Sequence, residues 1–522
     1  MGRAGASEPR LATSYPANVV LVVLTLFPGL INTSAIALAA PVIGRDLNVP
    51  PDVAASIPLI SDAALAFGCV LAAELTRRVE SRSLYFWLLG VTVASSLASA
   101  VAPAFPVLLA AHIVHGLVAG MLFVVVLPPL LTNFKSEKLG ATASVIVPCL
   151  FGAATLGPLI GGLVAAPGAW RSIFAVEVVV ALLAMVLARS VLAKRDSQGA
   201  DQPIDWYALI ASALGSVLVY IGIGGLAGNN WRDPFASFPL VGGLLIYAAL
   251  IVGEARKEHP LVPVRKLATS LALIGTIATV IGSATFSALT QSFQLTLLRI
   301  DELDPRGTGF AFWPEFLTAV AAGYVFGRLV TTKWVVVTGA SGLVCIGVAA
   351  ALARASSPVD AQSVGWLCLI AGFGAGLSVS PGLFLVTLSF EHALLARAIA
   401  LLNLFRLTGG FISAPGVEHT IGSRAVTQLR ALDPAIGPQA ADRVVRAFVT
   451  GRALPRAEPL EPLKAALAVG IDDAYTIVLV LAIAGIVAIA TLLLVGHVKL
   501  RAPDLQRFDD GKPALEAPAL FA

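Results

Sequence analysis

Charged residues are scarce in this chain of 522 residues. Asp, Glu, Lys and Arg make up 13% of the sequence, about half the share of soluble domains, whereas 57% of the residues are hydrophobic. A soluble fold could not bury that much apolar surface, so the composition excludes a soluble globular protein. The net charge is only +4 and the basic residues are scattered, which argues against a nucleic-acid partner.

Cysteine is scarce as well. Cys69, Cys149, Cys345 and Cys368 each lie inside an apolar run, without the CxxC or paired spacing of zinc or redox sites. We interpret them as packing thiols. The sequence also lacks a phosphate-binding GxxxxGK[ST] loop and a nucleophile–base set. We therefore expect neither an enzyme nor an ATP-driven pump, and no cofactor or metal.

Long apolar runs dominate what is present. A helix needs about 20 apolar residues to cross a bilayer, and a helix satisfies its own backbone hydrogen bonds there. The runs lack the alternation of a transmembrane barrel. We predict an all-α membrane protein with 14 transmembrane helices. The predicted spans are residues 18–40, 54–75, 84–103, 106–130, 139–166, 170–192, 206–227, 235–253, 268–293, 308–330, 334–355, 364–389, 395–417 and 474–497.

These spans form a 6 + 2 + 6 pattern, which predicts two six-helix bundles and an inserted helix pair. The first bundle covers residues 1–192, the inserted pair 193–266 and the second bundle 267–522. The second bundle includes a long external loop, residues 418–472, with one amphipathic surface helix near residues 442–448. Transporters commonly rock two such bundles around a site at the membrane midplane.

The distribution of basic residues predicts the orientation. Lys and Arg concentrate in alternate short loops, as at Arg77, Arg78 and Arg82, and the loops of the opposite side hold few. Cytoplasmic loops carry such an excess. We expect a multi-pass protein of the cell (inner) membrane with both termini in the cytoplasm.

Titratable residues inside the predicted spans are few. Burying such a group costs several kcal/mol unless it is paired or hydrated, so each is a candidate for function. Asp62, His112, Glu177 and Glu315 fall in one layer, roughly 9 to 12 Å beneath the outer surface at about 1.5 Å per residue. We expect this layer to face one aqueous cavity between the bundles. His115, three residues after His112, shares its helical face.

Arg406 lies nearer the middle of the thirteenth predicted span. A lone guanidinium in a membrane requires a carboxylate or an anionic ligand as partner. A structural reading is open for each of these residues. Arg406 could pair with Glu315, Asp62 could cap a kink beside Pro58, and His112 could be a hydrogen-bonded core residue.

Several motifs resemble a known family. Residues 157–162 read Gly-Pro-Leu-Ile-Gly-Gly, residues 170–174 read Trp-Arg-Ser-Ile-Phe, and residues 403–410 read Asn-Leu-Phe-Arg-Leu-Thr-Gly-Gly. These resemble the 14-span drug:proton antiporter family of the major facilitator superfamily. In that family the first element marks antiporters, which implies an antiporter motif at Gly157, Pro158, Gly161 and Gly162. The spacing of four between Gly157 and Gly161 also favours close helix packing.

The sequence departs from this family at three places. Asn32 replaces an acid of the first span, His112 and His115 replace an arginine and a glutamine, and Arg77 stands where a loop acid is usual. We therefore expect Asp62 to carry the exchangeable proton. The expected pathway for protons and substrate comprises Asn32, Asp62, His112, His115, Glu177, Glu315, Asn403 and Arg406.

The expected function is secondary active transport. We expect proton-coupled export of a small apolar or amphipathic compound by alternating access, with the bilayer, protons and the substrate as partners. An importer, an uncoupled carrier or a non-transporting membrane sensor or partner subunit are the alternatives. A monomer is the working assumption for the oligomeric state.

Overall fold

Fourteen helices are long and apolar enough to cross a membrane in the computed structural model, which describes residues 12–193, 203–228, 233–258, 260–451, 454, 460–498 and 500–516. The predicted number of spans is confirmed. The predicted N-terminal tail up to residue 11 and residues 194–202 of the predicted linker lie outside the described residues.

We number the membrane helices span 1 to span 14 in chain order. Spans 1 to 6 are Tyr15–Asp46, Ser56–Arg78, Ser81–Ala100, Phe105–Thr132, Ser136–Leu163 and Arg171–Val191. Spans 7 and 8 are Trp206–Leu226 and Pro234–Arg256. Spans 9 to 14 are Ser270–Ile300, Pro305–Leu329, Thr338–Ala355, Ala361–Ser389, His392–Leu432 and Leu460–Val495.

Short acidic side chains cap several of these helices at their first turn. The Glu80 carboxylate accepts hydrogen bonds from the backbone N–H groups of Arg82 and Ser83 at 3.2 Å each. Asp360 accepts from the N–H of Ser363 at 2.9 Å. The first N–H groups of a helix have no partner within the helix, so these caps fix where spans 3 and 12 begin.

Spans 1 to 6 pack mainly on one another, and so do spans 9 to 14. The two groups meet where span 2 contacts span 13 and where span 5 contacts span 10. Spans 7 and 8 pack side by side, joined by a hydrogen bond of 2.7 Å between Ser216 and Tyr247. Span 7 also contacts spans 2 and 13, so the helix pair lies along one side of the junction between the groups.

The segment 418–472 is more helical than the sequence suggests. The expected surface helix is present as Pro438–Thr450, here called the loop helix, but span 13 continues to Leu432 and span 14 begins at Leu460. Buried apolar residues on the extended ends of spans 13 and 14 belong to one core cluster: Val417, Ile421, Ala425, Leu429, Leu463, Leu467 and Ile471. Hydropathy averaged over a window misses these turns because their other faces are charged.

Both described terminal stretches lie at one end of the bundle, here called the terminal end. The Tyr15 ring packs against Phe134, with centroids 5.2 Å apart. Near the C-terminus, the Asp509 carboxylate accepts from the backbone N–H and the hydroxyl of Ser136, at 2.7 and 2.9 Å. The loop helix lies at the opposite end, here called the loop end.

Candidate functional site

A cavity of about 730 Å³ lies between the two groups of spans. Residues of spans 1, 2, 5, 7, 9, 12 and 13 line it, together with one face of the loop helix. The lining reaches Ser56, at the first turn of span 2, and Thr450, at the last turn of the loop helix. The cavity therefore opens at the loop end, while its deeper lining includes Asp62, Leu65 and Arg406.

The terminal end is held shut by the C-terminal segment. The N–H groups of Ala514 and Leu515 donate to the carbonyl oxygen of Leu388 in span 12, at 2.7 and 3.0 Å. The same segment presents Asp509 to Ser136 of span 5 and buries Phe508 almost completely. It thus joins the two groups of spans at the end where the cavity is closed.

Asp62 and Arg406 face this cavity from different groups of spans. No ion pair within 4.0 Å joins them among the described residues, and Asp62 makes no side-chain hydrogen bond there. The Arg406 Nε–H donates to Asn403 Oδ1 at 3.0 Å, while Asn403 Nδ2 donates to the carbonyl oxygen of Ile399 at 2.9 Å. Asn403 therefore orients the guanidinium, and both charged groups remain accessible to a solute.

The structure does not place the other expected residues in the cavity. Glu177 is 4% exposed and accepts hydrogen bonds from Asn32 Nδ2 at 2.8 Å and from Ser96 Oγ at 3.0 Å. His115 Nε2 lies 2.9 Å from the other carboxylate oxygen. These four side chains come from spans 1, 3, 4 and 6, so they form a buried polar cluster within the first group.

His112 adjoins this cluster rather than Asp62. Its ring centroid lies 5.7 Å from that of His115 and 5.4 Å from that of Phe174. Among the described residues that line the cavity, His112, His115, Glu177 and Asn32 are all missing. The expectation that one layer of titratable groups faces a shared cavity is wrong for them, because equal depth in the membrane does not determine which side of a helix a residue occupies.

Glu315 is also outside the cavity lining. It is 1% exposed, and neither carboxyl oxygen makes a hydrogen bond of normal geometry with the described residues. The Cys368 thiol is its polar neighbour. Span 12 packs closely against the backbone of span 10 at Glu315, since a Cβ added at Gly372 would lie 2.4 Å from the Glu315 carbonyl oxygen. Glu315 and Arg406 form no ion pair, so the alternative of a structural pair between them is wrong.

The glycine–proline element of span 5 lies at the contact between the two groups. A Cβ added at Gly157 would lie 1.8 Å from Ser34 Oγ, and one at Gly161 would lie 2.2 Å from the Ala35 carbonyl oxygen. On another face, a Cβ at Gly162 would lie 2.5 Å from the Pro305 carbonyl oxygen. Span 5 thus touches span 1 with one face and span 10 of the other group with another.

Sequence reasoning missed the charged residues at the cavity mouth. Glu418 Oε2 accepts from Gln291 Nε2 at 2.9 Å, and the Arg299 Nε–H donates to the Val449 carbonyl oxygen at 3.1 Å. Arg299 thereby holds the last turn of the loop helix against span 9. The sequence predicts a loop at Glu418, because the hydropathy of span 13 falls at residue 417, one residue before it.

Two groups of membrane helices around a central cavity that opens at one end are the architecture of a secondary transporter. The model of the Major Facilitator Superfamily matches residues 22–414, and the chain belongs to this superfamily of transporters. The family resemblance of the sequence motifs is confirmed at this level.

The most similar curated proteins include drug-resistance proteins. The chain is 28% identical over 353 residues to the multidrug resistance protein B homolog of Mycobacterium tuberculosis, covering 65% of this chain and 62% of that protein. It is 30% identical over 189 residues to the lincomycin resistance protein of Streptomyces lincolnensis, covering 36% of this chain and 37% of that protein. The chain thus spans less than two thirds of the length of these relatives.

Solved structures with the same fold include a POT family transporter in complex with 5-aminolevulinic acid. It superposes with a TM-score of 0.59 at 11% identity, covering 94% of this chain and 98% of that one. The crystal structure of a peptide transporter gives a TM-score of 0.58 at 16% identity. At such identities the likeness shows the fold alone.

Proposed function

We propose that the protein exports a small amphipathic compound across the cell membrane in exchange for protons. The main support for this proposal is the position of two opposite charges, Asp62 and Arg406. Both face a cavity that opens at one end only, and they form no ion pair with each other. The names of the relatives, which include multidrug and lincomycin resistance proteins, support export of such compounds. In this proposal the terminal end is cytoplasmic, so the cavity opens to the outside.

Alternating access requires the two groups of spans to rock about their contacts. The small residues of spans 5 and 10 suit that motion, since Gly162 and Gly309 place the two backbones in direct contact, without long side chains that would interlock. The C-terminal segment would release its contact with Ser136 when the terminal end opens. The cavity residues would then face the cytoplasm and accept substrate.

Asp62 is the proposed proton carrier. Among the described residues three carboxylates line the cavity, but Glu418 accepts a hydrogen bond from Gln291 and Asp442 pairs with Arg446 at 2.8 Å. Asp62 has no such partner among the described residues, so it is the carboxylate whose proton can exchange with the cavity. Arg406 attracts its ionised form, and a substrate bound between the two groups would compete for that attraction.

The test uses protein reconstituted in liposomes with an imposed pH gradient. Transport of lincomycin should follow the gradient, and substrate binding should release protons. Asp62→Asn should abolish the gradient-driven accumulation and the proton release, while counterflow exchange, which needs no net proton movement, should persist. Glu315→Gln is the matched control, since this buried carboxyl lies outside the cavity lining.

Each other outcome selects a different function. Proton release that survives in Asp62→Asn would contradict the assignment and point to the reserve acids Glu177 and Glu315, of which Glu315 is identified if Glu315→Gln loses proton release instead. Transport without any proton movement would identify an uncoupled carrier, and movement toward the side of the termini would identify an importer. Failure of the wild-type protein to move any compound would favour a non-transporting sensor or partner subunit.

A further inference from the structure

One face of span 9 carries an unusual row of polar side chains along the cavity wall. The lining residues of this helix include Ser283, Ser287, Thr290, Gln291 and Gln294. Their spacings of four, three, one and three residues place them on one side of a helix. The row extends about 16 Å at about 1.5 Å per residue. We call these five residues the polar row.

The hydroxyl groups of the polar row are not used by the protein. Serine and threonine in helices usually donate to the carbonyl oxygen four residues earlier. Ser283, Ser287 and Thr290 make no such bond among the described contacts, and Thr290 Oγ1 is a buried atom without a partner. Gln294 likewise makes no side-chain hydrogen bond there.

Other hydroxyl residues of the same helix behave differently. Thr285 Oγ1 donates to the Ile281 carbonyl oxygen at 2.7 Å, and Ser292 Oγ donates to that of Ala288 at 2.8 Å. Neither lines the cavity. Both sets lie on the same helix, so the difference lies in their surroundings: the Ser283 and Ser287 hydroxyls toward the cavity are left available for a ligand, whereas Thr290 Oγ1 is buried.

The facing wall has a different character. Apart from Asp62, spans 1, 2 and 5 contribute the apolar residues Leu30, Leu59, Leu150 and Phe151, and the hydroxyls that they add to the lining bond to backbone carbonyl oxygens: those of Thr33, Ser34 and Ser56. Phe151 and Phe286 are the only Phe, Tyr or Trp residues in the described lining. Recognition of planar organic cations usually relies on several aromatic faces, which this cavity does not offer.

We propose, resting on the proposed export function, that the polar row is the hydrogen-bonding surface for the substrate. The substrate class is then an amphipathic compound that carries several hydroxyl or amide groups along one side and apolar groups along the other. A planar apolar cation would leave the polar row unsatisfied and would bind less well.

The test compares two probes that differ in whether their hydroxyl groups are free or methylated. Glucosamine labelled with nitrobenzoxadiazole, and its per-O-methylated form, are bound to the purified protein in nanodiscs and followed by fluorescence anisotropy. The hydroxylated probe should bind at least several-fold more tightly. Ser283→Ala and Ser287→Ala should each weaken its binding by about 2- to 10-fold and leave the methylated probe unaffected, since each removes one hydrogen bond.

Thr285→Val and Ser292→Ala are the matched controls, because their hydroxyls bond within the helix. They should leave both affinities within about twofold of wild type. Equal affinity for the two probes, no binding of the hydroxylated probe, or equal losses in control and row variants would overturn the inference. Liposome transport of ethidium alongside such a result would leave the export function standing, whereas absence of all transport would contradict that function instead.

Discussion

Replacing Gly161 by alanine should disturb the contact between spans 5 and 1. The added Cβ would lie 2.2 Å from the Ala35 carbonyl oxygen and 3.1 Å from its Cα, whereas ordinary van der Waals contact begins at 3.4 Å. The atoms that clash belong to the backbone, so no side-chain rotation relieves them. The helices must therefore separate locally by about 1 Å, and overpacking of this kind costs about 1–3 kcal/mol.

The separation should also impair transport, because span 5 contacts span 10 of the other group through its neighbouring residue Gly162. The matched control is Gly90→Ala in span 3, where a Cβ would meet nothing within 4 Å. Alanine there should stabilise its helix slightly, by up to about 1 kcal/mol.

Thermal unfolding in detergent and liposome transport measure the two effects. Gly161→Ala should unfold at lower temperature and transport more slowly than wild type, and Gly157→Leu should abolish transport while much of the protein still reaches the membrane. If Gly161→Ala matches Gly90→Ala in both assays, the close backbone contact is not essential, and the reasoning about the glycine–proline element fails.

Three further predictions concern orientation, the buried cluster and the closed end. Tags at the two termini should report the same side of the membrane and a tag at Asp433 the opposite side; termini on opposite sides would mean that the count of spans is odd. Glu177→Leu should lower the free energy of unfolding by about 2–5 kcal/mol, because three polar side chains lose their shared acceptor, and Glu177→Gln should lower it less. Equal stability of Glu177→Leu and wild type would contradict the structural role of this cluster. Asp509→Ala removes two hydrogen bonds to Ser136 and should raise the fraction of molecules open at the terminal end about tenfold. Spin labels on the two groups of spans should then report longer distances, whereas Asp510→Ala, at a residue without such a contact, should leave these distances unchanged.

The depth of each residue in the membrane could be predicted from the sequence, but the side of each helix that faces the cavity could not. Asp62 and Glu177 lie at similar predicted depths, yet Asp62 faces the cavity and Glu177 is held by Asn32, Ser96 and His115. A hydropathy profile gives the position of a residue along its helix but not the side of the helix on which it lies. A helix buried on most sides also shows no clear polar face. Only packing against neighbouring spans decided which acid meets a solute.

The sequence by itself determined the 14 helices and, through their even number, that both described terminal stretches lie at one end of the bundle, because bilayer thickness and backbone hydrogen bonding leave a long apolar run no other structure. The family motif at Gly157 to Gly162 was also readable locally. Tertiary structure alone decided that Glu418 lies at the cavity mouth and that Ser283 and Ser287 line the cavity with hydroxyls that make no bond within their helix. The physical reason is that a cavity is formed by surfaces from many helices, and no single segment of sequence records which of its faces the others leave uncovered.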